Sequence, residues 1–500
     1  VQPSDYLQDV PYPHHVQRES TPLWLSFVST ALGLRGPDIS QPYAWCELGC
    51  GQGLGALLNA ASNPQGRFVA IDLNPQHIAH GRGLAKAAGL DNLQFIEADF
   101  MQLASIAAEQ TACYDFIVLN GVYSWVSAAQ RQAIRRCVRH WLKPGGILYL
   151  GYMCQPGMAF LAGFRSLLRA HAQQMPGNSA QRVQAALGLL ERMAEAGAGF
   201  FSQNPAAHEY LKHARQQDPA YLAHELLNSH WESLPVAEVM ADVKSDCGCD
   251  YMGSATPLEN IDALSIPGNL LPLLSGLQSL AERESFKDLA RNQSERRDLY
   301  QKGLQPLDES SHRNLLLDQV LSALPGSPSR GALQFDTRIG PVQGAASLFS
   351  PLLEALAQRP RRFAELLELP ALHSQRDLLS PALQMLAWAG HVHPLLPGSL
   401  DISACQRLNR LLSERCLRGQ AYGHIAAPSL GASLSADSLQ MAILRVLLEY
   451  PQLRGPLLLE TLRAVQRDCR QPAALEDAQR LAQFEQHILP HWQRMGIVAG

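Results

Sequence analysis

The stretch Tyr43–Ala61, YAWCELGCGQGLGALLNAA, constrains the fold more than any other part of the chain. An apolar run ends in the acidic Glu47, glycines follow at 49, 51, 53 and 55, and an alanine- and leucine-rich helix pattern comes next. Glycines between a strand and a helix let backbone approach a ligand closely and aim amide N–H groups at it. A tight turn with a purely structural purpose gives the same pattern, so its surroundings decide.

Those surroundings alternate. YAWCELG, RFVAIDL, LQFIEAD, YDFIVLN and GILYLGY each read as a buried strand, and helical patterns separate them, which predicts a doubly wound α/β fold with a mostly parallel sheet. From 156 to 233 the strand signal gives way to helices such as MAFLAGFRSLLRAHAQQM, an inserted cap. LPVAEVMADVKSDCGCDYMGSATP (234–257) then reads as the helix and strand that complete the sheet, so the cap leaves from the carboxyl edge of the strand ending at Tyr152, where open α/β sheets bind ligands. The division expected is an arm (1–42), the core (43–155), the cap (156–233), the helix–strand unit (234–257), a helical connector (258–325), a middle helical or winged-helix-like domain (326–400) and a C-terminal helical domain (401–500). SFKDLARNQSERRDLYQKGL reads as a polar helix and GSPSRGALQFDTR, Gly326–Arg338, as a linker.

Charge and cysteines limit the partners. A net charge of -4 without a long run of one sign argues against nucleic acid. The densest basic cluster, RRCVRH, has an apolar stripe of Ile134, Cys137, Val138 and Trp141, which leaves its arginines on a solvated helix face. Ten cysteines lack paired spacing apart from Cys247 and Cys249, and with no further ligands near that pair no metal site is expected. Without a signal-like start or a membrane-length apolar run, a cytoplasmic setting is expected.

Three acids identify the ligand. A dinucleotide fingerprint begun at Gly49 would put Leu54 where its third glycine belongs, and Glu47 would repel a pyrophosphate but could pair with a cation. Asp72, beside Leu73, ends the second strand where a carboxylate accepts ribose hydroxyls, and Asp99 ends the third within reach of an adenine amino group. Capping of the following helices is the alternative for both aspartates. Carboxylates at three successive strand ends suit a nucleoside that carries an amino acid, and S-adenosylmethionine fits that charge pattern.

With CELGCGQG, AIDLNP, EADFMQL, YDFIVLNGVYSW and LKPGGILYLGY in this order, the chain resembles the class I S-adenosylmethionine-dependent methyltransferases. VPYPHHVQRESTP, NGVYSWV, AHELLNSHWESLPVAEVMADV and FKDLARNQSERRDL narrow the resemblance to the subfamily with a methyltransferase regulatory domain, to which rickettsial outer-membrane-protein lysine methyltransferases belong. The resemblance implies a Rossmann-like methyltransferase sheet with a helical cap insertion and mainly α-helical C-terminal domains. It implies Glu47, Gly49, Gly51 and Gly53 around the methionine part of the cofactor, Asp72 at the ribose, and Asp99 with Phe100 at the adenine.

Methyl transfer from a sulfonium needs alignment and dryness more than obligatory catalytic groups. Asn120 is expected to orient the nucleophile and also to touch the cofactor, and Tyr123 with Trp125 to wall an electron-rich slot suited to an amine. A core role is the alternative for both rings. The arm could fold over the cofactor, with Tyr12 against the methionine carboxylate and His14 or His15 as a base, a surface-packed arm being the alternative, while His224 and Glu225 are read as a structural pair that could reach the same crevice. The acceptor expected is a protein lysine; the alternatives are a small-molecule O-, N- or C-methyltransferase and a non-catalytic S-adenosylmethionine sensor. The helical tail suggests subunit contacts, a homodimer among them.

Overall fold

A computed structural model describes residues 6–499 except 8, 399–400 and 470–476; parts of the expected arm and C-terminal domain, and the junction at 399–400, lie outside the described residues. Seven strands form one sheet: β1 (Tyr43–Leu48), β2 (Gly66–Asp72), β3 (Leu93–Glu97), β4 (Tyr114–Leu119), β5 (Leu142–Met153), β6 (Cys249–Ser254) and β7 (Glu295–Lys302), in the order β3-β2-β1-β4-β5-β7-β6. Neighbours from β3 to β5 pair in parallel, whereas β7 runs antiparallel to both β5 and β6. The order reverses between β1 and β4, which opens a crevice at their carboxyl ends.

Side chains alternate across this sheet. Tyr43 and Trp45 enter the core on one face, and Ala44, Cys46 and Leu48 enter the core on the other. The first face carries α1 (Pro22–Ala31), α2 (Leu54–Ser62) and α3 (Pro75–Ala88); the second carries α4 (Phe100–Ile106), α5 (Ala128–Trp141) and, at its β6 end, Val236–Cys247. α2 is buried nearly all round, including Asn59 and Ser62, because the C-terminal part of the chain covers its outer side. There Ser62 Oγ donates to the Ala432 carbonyl at 2.8 Å, Asn63 Nδ2 to the Gly431 carbonyl at 2.9 Å and Arg407 Nε to the Ala88 carbonyl at 2.8 Å. The C-terminal residues therefore share a core with the sheet. The cap, five helices between Leu161 and Leu227, has a core of its own.

The strands read between Tyr43 and Tyr152 are present, as is the helix–strand unit after the cap, which supplies the edge strand β6 of the same sheet. Between β5 and β6 lies an unexpected strand, β7, inside the segment read as a polar helix: Leu280–Arg291 is helical, and the chain then turns into Glu295–Lys302. The expected connector (258–325) is therefore not purely helical; it also contains β8 (Val320–Ala323). The expected linker is structured too, for Leu333–Thr337 pairs as β9 with β10 (Gly340–Gly344). Among the described residues, no helix is long and apolar enough to cross a membrane.

The turn after β1 depends on glycine. Gly51 and Gly53 have φ of +54° and +75°, and a Cβ on Gly53 would collide with the ring of Phe95. Gly53→Ala is expected to lower the unfolding free energy by about 2 kcal/mol or more, combining left-handed strain with overlap. In Gly51→Ala the new carbon meets nothing nearer than Tyr12 Cδ1 at 3.6 Å, and the loss is about 1 kcal/mol. Urea denaturation checks the order; equal losses would contradict it.

Candidate functional site

The crevice at the β1/β4 reversal is a cavity of about 360 Å³. Its walls include Tyr12, Glu47, Gly49, Gly51, Gly53, Asp72, Leu73, Asp99, Phe100, Asn120 and Trp125, whereas Tyr123 and the pair His224 and Glu225 do not line it.

Glu47 lies at the carboxyl end of β1. Burial and the nearby charge of Asp72 push its carboxyl up to about 8, and its Oε2 is shut off from solvent without a hydrogen-bond partner. Neutral near pH 7 in that condition, it ionises only beside a cation. An ammonium group fits; a phosphate does not.

Asp72 ties two loops together. Its Oδ2 accepts from the Gly51 amide at 2.8 Å and its Oδ1 from the Asn74 amide at 2.9 Å, with His77 Nδ1 at 3.4 Å. Oδ2, with a single protein donor, keeps a second lone pair with which to accept from a ribose hydroxyl. Asp99 Oδ1 caps α4 by accepting from Met101 N at 2.7 Å, which realises the capping alternative, and Asp99 still lines the crevice. Phe100 supplies an aromatic wall there and Leu73, 40% exposed, an apolar rim. The donor set matches a nucleoside bearing an amino acid: an acid for an ammonium, an acid for a diol, and an apolar slot edged by a third acid.

The acceptor side differs from expectation at one residue. Asn120 faces the crevice, its Oδ1 accepting from Tyr149 Oη at 3.5 Å. Trp125 faces it too, with Nε1 donating to the Glu225 carbonyl at 3.4 Å. Tyr123 does not. The 3-10 turn Tyr123–Trp125 rotates it into the core under α5, where its hydroxyl accepts from Arg135 Nη1 at 2.7 Å and its ring packs against Tyr152. Arg135 is thereby drawn off the solvated face expected of RRCVRH and also pairs with Asp242 at 3.1 Å and Asp246 at 2.8 Å.

The arm folds over the crevice. Tyr12 and His14 line it, and His224 Nε2 donates to the Val10 carbonyl at 3.0 Å, so this histidine holds the arm in place. His14 stacks on His80 and Tyr422 at ring distances of 5.4 and 4.7 Å, and burial lowers its pKa to about 4, which keeps it neutral. Tyr6, Gln52, Gln130 and His230 also line the crevice and were not anticipated. Gln130 had a signal: Ser127 and Gln130 form a capping box that starts α5 at the crevice edge. Tyr6 and His230 are brought in by the folding of the arm and cap, which leaves no local signature.

Comparison with known proteins agrees. Residues 39–240 match a family model described as a methyltransferase domain, and residues 218–302 one described as a predicted methyltransferase regulatory domain. An uncharacterised protein of Synechocystis is 28% identical over 88% of this chain and 87% of its own length. An uncharacterised Rickettsia prowazekii protein is 25% identical over 57% of this chain and 50% of its own. In fold, the chain is similar to PKMT2 from Rickettsia typhi in complex with AdoHcy, with a TM-score of 0.72 at 15% identity over 98% of this chain and 99% of that one. The matched models, the strand order and the crevice's donor set converge on one family: the chain is an S-adenosylmethionine-dependent methyltransferase that carries a methyltransferase regulatory domain.

Proposed function

We propose that the methyl acceptor is the side-chain amine of a lysine in another protein. One observation carries this reading. Glu225, on the cap helix Pro219–Leu227, has its carboxyl pushed up to about 8 by burial and by Glu295, while a hydrogen bond with Tyr221 draws it down. Around it Tyr12, Tyr210 and Tyr221 stay protonated, because burial and the Glu225 charge push their hydroxyls above the usual range. Of this cluster Tyr12 lines the crevice, and Tyr221, its ring 6.4 Å from that of Tyr12, lies behind it with Glu225. Electron-rich rings beside an acid attract an ammonium, and removal from water favours its neutral, nucleophilic form. The resemblance to rickettsial lysine methyltransferases points the same way.

Bound S-adenosylmethionine supplies a methyl group made electrophilic by the sulfonium. In this reading the chain does the rest. Glu47 pairs with the amino group of the methionine part, Asp72 accepts from the ribose hydroxyls, and Asp99 with Phe100 receives the adenine. Tyr12, Leu73 and the three glycines complete the cofactor wall. Asn120 orients the amine, Trp125 keeps water out, and the Glu225 carboxylate, which lies behind the crevice lining, takes the proton that the amine loses by way of one intervening water. Tyr123, being outside the crevice, has no direct part; it supports the turn that carries Trp125.

Transfer of labelled methyl into a cell extract separated by size tests the acceptor. Label in macromolecules, released on hydrolysis as methyllysine, is the expected result; label in the small-molecule fraction would favour a metabolite acceptor, and no transfer at all a sensor. Glu225 acts as a base only when ionised, so turnover should rise about tenfold per pH unit below about 8 and level off above it. Glu225→Gln should remove that step and lower turnover by about a hundredfold. An unchanged pH profile would exclude Glu225 as the proton acceptor.

Glu47 titrates in the same range, with consequences for cofactor binding. Protonated near neutrality in the empty crevice, it must ionise to pair with an ammonium, so binding of S-adenosylhomocysteine at pH 7 should release about one proton. Calorimetry in buffers of different ionisation enthalpy reads that number. Glu47→Gln should abolish the release and weaken binding about tenfold or more.

A further inference from the structure

A second recess lies where the cap leaves and rejoins the sheet domain. It is a cavity of about 500 Å³ between the cap helix Leu161–Gln174 and the returning segment Trp231–Ser233, with Gln155 at its base. Arg165 and Arg169 project into it one helical turn apart, and like charges at that spacing repel.

Neither arginine pairs with a carboxylate among the described residues. Arg165 is only 8% exposed; it spends Nη2 on the Asn228 carbonyl, and its Nε is buried with no partner. Its guanidinium carbon lies 5.8 Å from the Trp231 ring centre, a weak substitute for a counter-charge. Arg169 Nη1 donates to the Ser229 carbonyl at 3.2 Å. The acid in the lining, Glu232, is already committed to Arg131 at 2.5 Å. Burial and the neighbouring Arg169 lower the pKa of Arg165 to about 10, which leaves it cationic at neutral pH.

Buried cations are otherwise paired, because desolvating an unpaired charge is costly. We infer that this recess is an oxoanion-binding site, in which Arg165 and Arg169, backed by Gln155, Ser166 and Gln173, hold a carboxylate or phosphate group. Guanidinium groups suit both anions through paired N–H donors on a planar face. The site adjoins the methyl-transfer crevice through two consecutive residues, for His230 lines the crevice and Trp231 lines the recess. An anion bound here therefore packs against the wall of the crevice, and an acidic side chain of a bound protein is placed to enter. Existence of the site does not depend on the identity of the methyl acceptor.

Calorimetric titration of the full chain at fixed ionic strength tests the inference, with inorganic phosphate and an N-acetylated Asp-Asp peptide amide as probes. At least one is expected to bind saturably, with affinity about tenfold lower in Arg169→Gln and lost in the Arg165→Gln/Arg169→Gln double variant. Tighter binding of the peptide assigns the site to acidic protein segments, and tighter binding of phosphate to a phosphate group. S-adenosylhomocysteine affinity should be unchanged in each variant, which verifies folding; should the double variant fail that check, Arg169→Gln alone carries the test. Saturable binding of neither probe, or equal binding by wild type and Arg169→Gln, would overturn the inference.

Discussion

Asp72 accepts one hydrogen bond from the loop after β1, at Gly51 N, and one from the loop after β2, at Asn74 N, so a single carboxylate fixes the geometry of the crevice. Left-handed glycines make the first loop tight enough to reach it, and the Asn74 cap with Pro75 starts α3 where the second loop ends. The same Asp72 charge helps raise the pKa of Glu47. The turn, the ribose-side acid and the unpartnered acid beneath it therefore form one electrostatic unit that is best satisfied by a cationic nucleoside.

The remainder of the chain bears on this unit from two sides. The cap grips the arm through His224 and lays Tyr12 over the glycines, while the C-terminal residues cover α2 and α3. A direct link runs from the latter to the crevice. His80 Nδ1 donates to the Gln52 carbonyl in the glycine turn at 3.3 Å, which leaves its Nε2 to accept from the Tyr422 hydroxyl at 2.9 Å, with His14 stacked alongside. Tyr422 thus joins the C-terminal region to the cofactor turn through one neutral histidine. The extra domains are part of how the crevice is built.

What the sequence makes legible follows physical rules. Strands β1 to β5 are apolar because both of their faces are covered, and Glu47, Asp72 and Asp99 stand out because acids ending such strands are chemically conspicuous. β7 is hidden for the opposite reason. Its SERRDLYQK reads as polar because Arg296 is buried in an ion network with Glu284, Asp288 and Asp298 at 2.8, 2.5 and 2.8 Å, so charge replaces the apolar alternation that marks a strand. Tyr123 and Trp125 differ in fate through the geometry of one 3-10 turn, which residue type alone does not encode. The recess around Arg165 leaves no local mark either, since its walls come from the two ends of an insertion that meet only in the folded chain.

The central claim is that the acids at the ends of β1 and β2 bind the amino group and the ribose of a sulfonium nucleoside. A crystal structure with S-adenosylhomocysteine tests it most directly. The account predicts the ligand's amino nitrogen about 3 Å from a Glu47 oxygen and its ribose hydroxyls at similar distances from Asp72. A ligand bound with its amino group turned away from Glu47, or its ribose away from Asp72, would contradict it.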